Sequence, residues 1–178
     1  MTCPNSRRRF LATAAASTAA VTILPSGLAR TYAANEKLNI ASIGAGGRAA
    51  SVLRGVESEN IVALCDVDEQ RAAESFARYP KAQRFKDYRV MLDELHGSID
   101  AVIVATPDHH HFHASMAALR LGKHVYCEKP LTHSVWEARQ LTAAAREAGV
   151  ATQMGNQAQA SKDTRRVQEF LLDNAIGP

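Results

Sequence analysis

The chain has 178 residues, enough for one ordinary domain, and its 46% hydrophobic content with 22% charged residues excludes a disordered or fibrous protein. The net charge of +3 gives no case for a nucleic-acid partner, because the excess belongs to the start of the chain. Arg7, Arg8, Arg9 and Arg30 precede every acidic residue, and from Glu36 onward 17 basic residues face 18 acidic ones.

Residues 1–34 read as a targeting segment. Ser6-Arg7-Arg8-Arg9-Phe10-Leu11 opens it, the small apolar run from Ala12 to Leu24 follows, and Pro25 breaks the run. The order Ser-Arg-Arg-x-Phe-Leu resembles a twin-arginine (Tat) signal; an ordinary Sec signal or an amphipathic helix is the alternative. The resemblance implies hand-over to the Tat export machinery and a periplasmic or secreted protein. The apolar run is short and rich in Ala and Thr beside the roughly 20 residues of a membrane span. No lipobox cysteine follows it, so no stable membrane anchor is expected. Cleavage is expected near Ala29, Ala33 or Ala34, leaving Cys65 and Cys127, too few for a disulfide framework and expected as buried free thiols.

Beyond the leader, β-rich runs alternate with helical patterns, the signature of βαβ units. Strands are expected at Leu38 to Ile43, Ile61 to Cys65, Ala101 to Ala105, His124 to Cys127 and Val150 to Met154, with a weak one near Gln83 to Phe85. Their nearly continuous apolar character predicts burial on both faces of a parallel sheet. Helices are expected at Arg48 to Val56, Glu69 to Arg78, Asp87 to Leu95, His111 to Leu121, Ser134 to Ala148 and Lys162 to Asn174. Ser134 with Glu137 forms a capping-box pattern, and Gly149 stops the same helix. The fold class is therefore α/β, a doubly wound parallel sheet of the Rossmann type.

Three motifs carry chemistry. Gly44-Ala45-Gly46-Gly47-Arg48-Ala49 joins the first strand to the first helix in a G-x-G-x-x-G/A pattern. It suits a tight turn, close approach of the backbone to a pyrophosphate, and close helix packing at Ala49. The helix N-terminus would take the anion. Asp66 ends the second strand 22 positions after Gly44, where an acid is expected to bind adenosine ribose hydroxyls. An acid there favours NAD over NADP, although Arg48 or Arg71 offers a place for a 2′-phosphate. Thr106-Pro107-Asp108-His109-His110-His111 and Glu128-Lys129-Pro130 both follow predicted parallel strands, so they belong on the same carboxyl-end rim. The histidines His109, His110, His111 and His113 invite a metal, but neighbouring loop side chains splay apart and no acid or thiol set completes the pattern, so none is expected.

These residues resemble the Gfo/Idh/MocA family, which includes glucose-fructose oxidoreductase and inositol 2-dehydrogenase, over essentially all of Lys37 to Pro178. The resemblance implies that Lys129 is the active-site lysine and that Glu128 and Pro130 shape the nicotinamide pocket. A lysine beside a cationic ring and partly desolvated is suited to relay the hydroxyl proton during hydride transfer. It also implies that Gly155-Asn156-Gln157 begins a crossing into a C-terminal α/β substrate domain bearing a catalytic histidine. A full-length relative is expected to be a homo-oligomer. The sequence departs from the pattern at Ala158-Gln159, where many exported relatives carry Gly-His, and Gln159 cannot replace an acid-base histidine.

The resulting expectation is a signal at 1–34, an NAD(P)-binding domain at 36–156, and the start of a truncated substrate domain at 157–178. The candidate cofactor-binding residues are Gly44, Gly46, Gly47, Arg48, Asp66, Thr106, Pro107, His109, Glu128, Lys129 and Asn156; the candidate catalytic residues are Lys129 and His111. The expected activity is hydride transfer between NAD(P) and a sugar, polyol or related substrate. Two rivals are a glycosidase acting by transient oxidation and elimination, and a non-catalytic nucleotide or sugar binder. The 178-residue chain by itself is expected to bind dinucleotide weakly and to lack full turnover.

Overall fold

The computed structural model describes residues 37–175 and 177; the expected export signal lies outside them. Six strands form one sheet: β1 (Asn39–Ile43), β2 (Asn60–Cys65), β3 (Gln83–Phe85), β4 (Ala101–Val104), β5 (His124–Glu128) and β6 (Thr152–Gly155). Their order is β3-β2-β1-β4-β5-β6, and every neighbouring pair is parallel. The chain thus winds outward from β1 to β3, then returns to lay β4 on the other side of β1. That reversal opens a crevice at the carboxyl ends of β1 and β4.

Among the described residues five α-helices supply the crossovers, α1 (Arg48–Gly55), α2 (Ala73–Arg78), α3 (Tyr88–Leu95), α4 (His111–Arg120) and α5 (Val135–Ala148), and α6 (Lys162–Leu172) follows the last strand. Side chains alternate across each strand, so the continuous apolar runs feed two cores. Ala41, Ile43, Val102, Val104, Val125 and Cys127 pack against Met91 of α3, Ala114 and Ala118 of α4, and Leu141 of α5. Ile40, Leu64 and Ile103 face the other way, onto Leu53 of α1 and Phe76 of α2. Full burial of one such leucine contributes roughly 1.5–3 kcal/mol.

The second face is unevenly covered. Beside α1, a groove of about 760 Å³ runs over the β4 to β6 half, lined in part by Ile103 and Tyr126. Val167, Phe170 and Leu171 form a helically spaced stripe on α6, each at least half exposed.

The predicted elements all form, most with a boundary moved by a residue or two and one by four. The second helix begins at Ala73 rather than Glu69, because the Asp68 carboxylate accepts from the Gln70 and Arg71 amides at 3.0 Å and turns the chain first. The last strand runs to Gly155, paired in register with Glu128. The Ser134–Glu137 capping box and the left-handed Gly149 both occur as expected. Cys65 and Cys127 are free and buried. Burial, with Asp66 and Asp87 alongside, pushes the Cys65 thiol up to about 12, so it carries no reactive thiolate at neutral pH.

Candidate active site

At the first strand-to-helix turn, glycine is required for space. A Cβ on Gly44, whose φ is +90°, would meet the Ala105 carbonyl oxygen at 2.6 Å, and one on Gly46 would meet that of Arg71 at 2.5 Å. Gly47 precedes α1 without any side-chain cap; the Ala49 amide donates to the Gly46 carbonyl at 3.1 Å, and the other leading N–H groups of that helix remain for a ligand. Asp66 sits under this turn. Its Oδ2 accepts from the amides of Ala45 at 2.8 Å and Gly46 at 3.1 Å, and its Oδ1 accepts from Asp68 at 3.0 Å. The acid therefore shapes the turn, a duty beyond the ribose contact expected of it.

A cleft of about 650 Å³ opens in front of the turn, lined by Gly44, Gly46, Asp66, Arg71, Thr106 and His109 among others. That volume lies within the range of ligand clefts, roughly 300–1,000 Å³. Thr106 Oγ1 is buried there without a hydrogen-bond partner.

The far end of the rim is built from side chains. Glu128, 5% exposed at the end of β5, uses a single carboxylate oxygen, Oε1, to accept from three donors. These are Arg48 Nε at 3.0 Å, Gln157 Nε2 at 2.8 Å and the Tyr126 hydroxyl at 3.1 Å. Burial presses the Glu128 carboxyl upward, but the donors Gln157, Arg48 and Tyr126 outweigh it and hold it below its ordinary value. Lys129 follows directly, exposed rather than partly desolvated as expected, and is joined to Pro130 by a cis peptide bond.

His111 departs from its expected role. It is 1% exposed, with Nδ1 on the Pro130 carbonyl at 2.6 Å and Nε2 on the Thr106 carbonyl at 2.8 Å. Carbonyls only accept, so both ring nitrogens must donate, which requires the imidazolium. Burial opposes that charge, yet the Cys127 side chain and the two carbonyls overcome it and raise the pKa to about 9. The catalytic assignment of His111 is thus corrected: it is a buried clamp tying the Thr106 loop to the Lys129–Pro130 segment, with no nitrogen left for substrate.

Comparison with known proteins agrees with this geometry. Residues 38–156 match the GFO_IDH_MocA family, described as an oxidoreductase family with an NAD-binding Rossmann fold. The chain belongs to this family. It is 34% identical over 108 residues to 1,5-anhydro-D-fructose reductase of Ensifer adhaerens, covering 60% of this chain and 32% of the relative. It is 30% identical over 144 residues to D-glucoside 3-dehydrogenase of Escherichia coli, covering 79% and 40%. A 3-ketoreductase from Actinomadura kijaniata, solved with TDP-benzene and NADP, superposes with a TM-score of 0.69 at 28% identity, covering 80% and 46%. The chain thus spans 32–40% of the length of these two curated relatives.

Within this Gfo/Idh/MocA chain, the expected site residues fall into two groups. Gly44, Gly46, Arg48, Asp66, Thr106, Pro107 and His109 line the cleft, and Gly47 stands at the N-terminus of α1 beside the Arg71 guanidinium. Glu128 and Lys129 join them through Arg48. Asn156 is exposed, its carbonyl accepting from Gln159 at 3.0 Å. Among the described residues, no three His, Cys, Asp or Glu side chains gather to hold a metal ion. His110 instead stacks on His113, and burial together with His113 and His109 lowers its pKa.

Sequence reasoning missed Tyr126 and Gln157. Tyr126 had a signal, since it lies two positions before Glu128 and shares its strand face. Gln157 was named only within the Gly155-Asn156-Gln157 crossing, and nothing local tied it to its partner 29 residues away. The site fits a dinucleotide: the glycine cradle has room only for backbone, α1 lacks a side-chain cap, and Thr106 offers an unpaired hydroxyl.

Proposed function

We propose that the protein is an NAD-dependent oxidoreductase that moves a hydride between nicotinamide and a sugar, polyol or similarly hydroxylated substrate. The observation that carries this reading is the 3.0 Å bond from Arg48 to Glu128, which brings the glycine turn against the segment holding Lys129. A single extended dinucleotide is the ligand whose two ends need those places on one rim. Support for a sugar-like substrate comes from the relatives named for 1,5-anhydro-D-fructose and D-glucoside. Asp66 and Asp68 both line the cleft and disfavour the 2′-phosphate of NADP, against Arg71 and Lys86.

When bound, the nicotinamide supplies the hydride acceptor or donor. Around it, Thr106 offers its hydroxyl to the cofactor, Glu128 stays ionised, and Lys129 takes up or returns the proton of the substrate hydroxyl at Nζ. His111 keeps the two loops together and holds its own proton. The leader completes the reading: Arg7 and Arg8 deliver the folded protein to the Tat machinery, and the site works in the periplasm or outside the cell.

Equilibrium dialysis of the folded chain with NAD and NADP tests the cofactor, with NAD expected to bind at least about tenfold tighter. Binding of neither would remove the basis of the proposal. Where this segment is joined to a substrate domain, Lys129→Ala should abolish NADH formation on sugars and polyols while NAD remains bound. Export is checked separately, since the Arg7→Lys, Arg8→Lys double variant should accumulate in the cytoplasm.

A further inference from the structure

Resting on the dinucleotide reading, we infer that Arg48 serves the redox end of the cleft rather than the phosphates. With Tyr126 and Gln157 it is a positioning residue that fixes Glu128, and through Glu128 the adjoining Lys129, for the nicotinamide ring. The position of Arg48, inside the glycine pattern and at the first turn of α1, suggests a phosphate ligand on sequence grounds. The geometry points elsewhere for its Nε, which donates to Glu128 Oε1 at 3.0 Å, while the rest of the side chain lines the cleft.

That oxygen collects donors from three separate parts of the chain: the start of α1, the middle of β5 and the segment after β6. A carboxylate 5% exposed depends on such partners, and loss of any one leaves charge undercompensated. The backbone is arranged around it. Gly155 lies opposite Glu128 in the parallel ladder, and a Cβ there would stand 2.6 Å from the Tyr126 hydroxyl and 2.8 Å from the Glu128 carboxyl carbon. Gly155 therefore leaves the space in which the four side chains meet. The segment is held from the other side too, by His111 on the Pro130 carbonyl.

The phosphate end does not need Arg48. It has the uncapped N-terminus of α1, and Arg71 lies beside Gly47, its Nη2 3.4 Å from where a Cβ would be. Neutralised by Glu128, Arg48 adds little net attraction for an anion, whereas Arg71 has no carboxylate partner among the ion pairs of the described residues.

Calorimetric titration of the full chain with NAD and with ADP separates the two ends, since ADP carries both phosphates but no nicotinamide riboside. Arg48→Gln should weaken NAD about tenfold, the scale of one charge-assisted hydrogen bond, and leave ADP within about twofold. Arg48→Lys, which keeps a cation facing Glu128, should recover part of the loss. Arg71→Gln should weaken both ligands alike. Retained ADP binding also shows that each variant is folded; if Arg48→Gln is not, the exposed Gln157→Ala decides, with NAD weakened several-fold and ADP unchanged. Equal losses of NAD and ADP in the Arg48 or Gln157 variants would overturn the inference, as would no change in either. Wild-type protein that binds neither ligand would instead bring down the dinucleotide reading beneath it.

Discussion

The two ends of the cleft are built by different means. At the phosphate end the working parts are backbone: a glycine turn pressed against Ala105 and Arg71, a helix N-terminus without a cap, and an aspartate that holds the turn by its amides. At the redox end they are side chains from separate segments, gathered on Glu128 and flanked by a buried histidinium. The contrast teaches that the first end tolerates no added atoms, whereas the second depends on matched donors and charge.

The largest effect should come from breaking the phosphate end. Gly46→Val places a side chain on the Arg71 backbone, and NAD and ADP should both lose more than about 100-fold in affinity by titration, with a lower melting temperature. Equal affinity in this variant would remove the claim that backbone approach matters there.

Next is the histidinium. Its folded pKa is raised from 6.5 to about 9, so its stabilisation is complete below pH 6.5 and disappears as pH rises through 9. Denaturant unfolding should show a loss on the order of 3 kcal/mol across that interval, absent in His111→Gln. A wild-type profile flat from pH 6 to 10 would mean that one carbonyl is satisfied some other way.

Gly155→Ala sharpens the contrast from the other side. The added methyl crowds Tyr126 and Glu128, so NAD should weaken about tenfold while ADP holds. Smallest is Ser134→Ala on α5, away from both ends. Loss of the capping box should cost about 1 kcal/mol in chemical denaturation and leave both affinities alone.

Legibility in the sequence followed the same division. Strand and helix order could be read because apolar runs, glycines and caps are local signals, and even the moved start of α2 traces to one side chain, Asp68, capturing amides two and three residues on. The glycine turn and Asp66 were legible for that reason. His111 was misread because a histidine after a strand looks the same whether it faces a ligand or two carbonyls; only the fold brings Pro130, 19 residues away, onto its Nδ1. Arg48 shows the same limit, since its partner lies 80 residues on.

By itself, then, the order of residues determined the parallel sheet, the turn at Gly44 to Gly47 and the placing of Thr106 and Lys129 on strand ends, since periodicity and backbone sterics act over a few residues. Tertiary structure alone decided that Arg48 and Gln157 join Tyr126 at Glu128 and that His111 is spent on holding loops. Those outcomes depend on how β1, β4, β5 and β6 lie side by side, and a buried charge takes its partners from whatever that packing delivers.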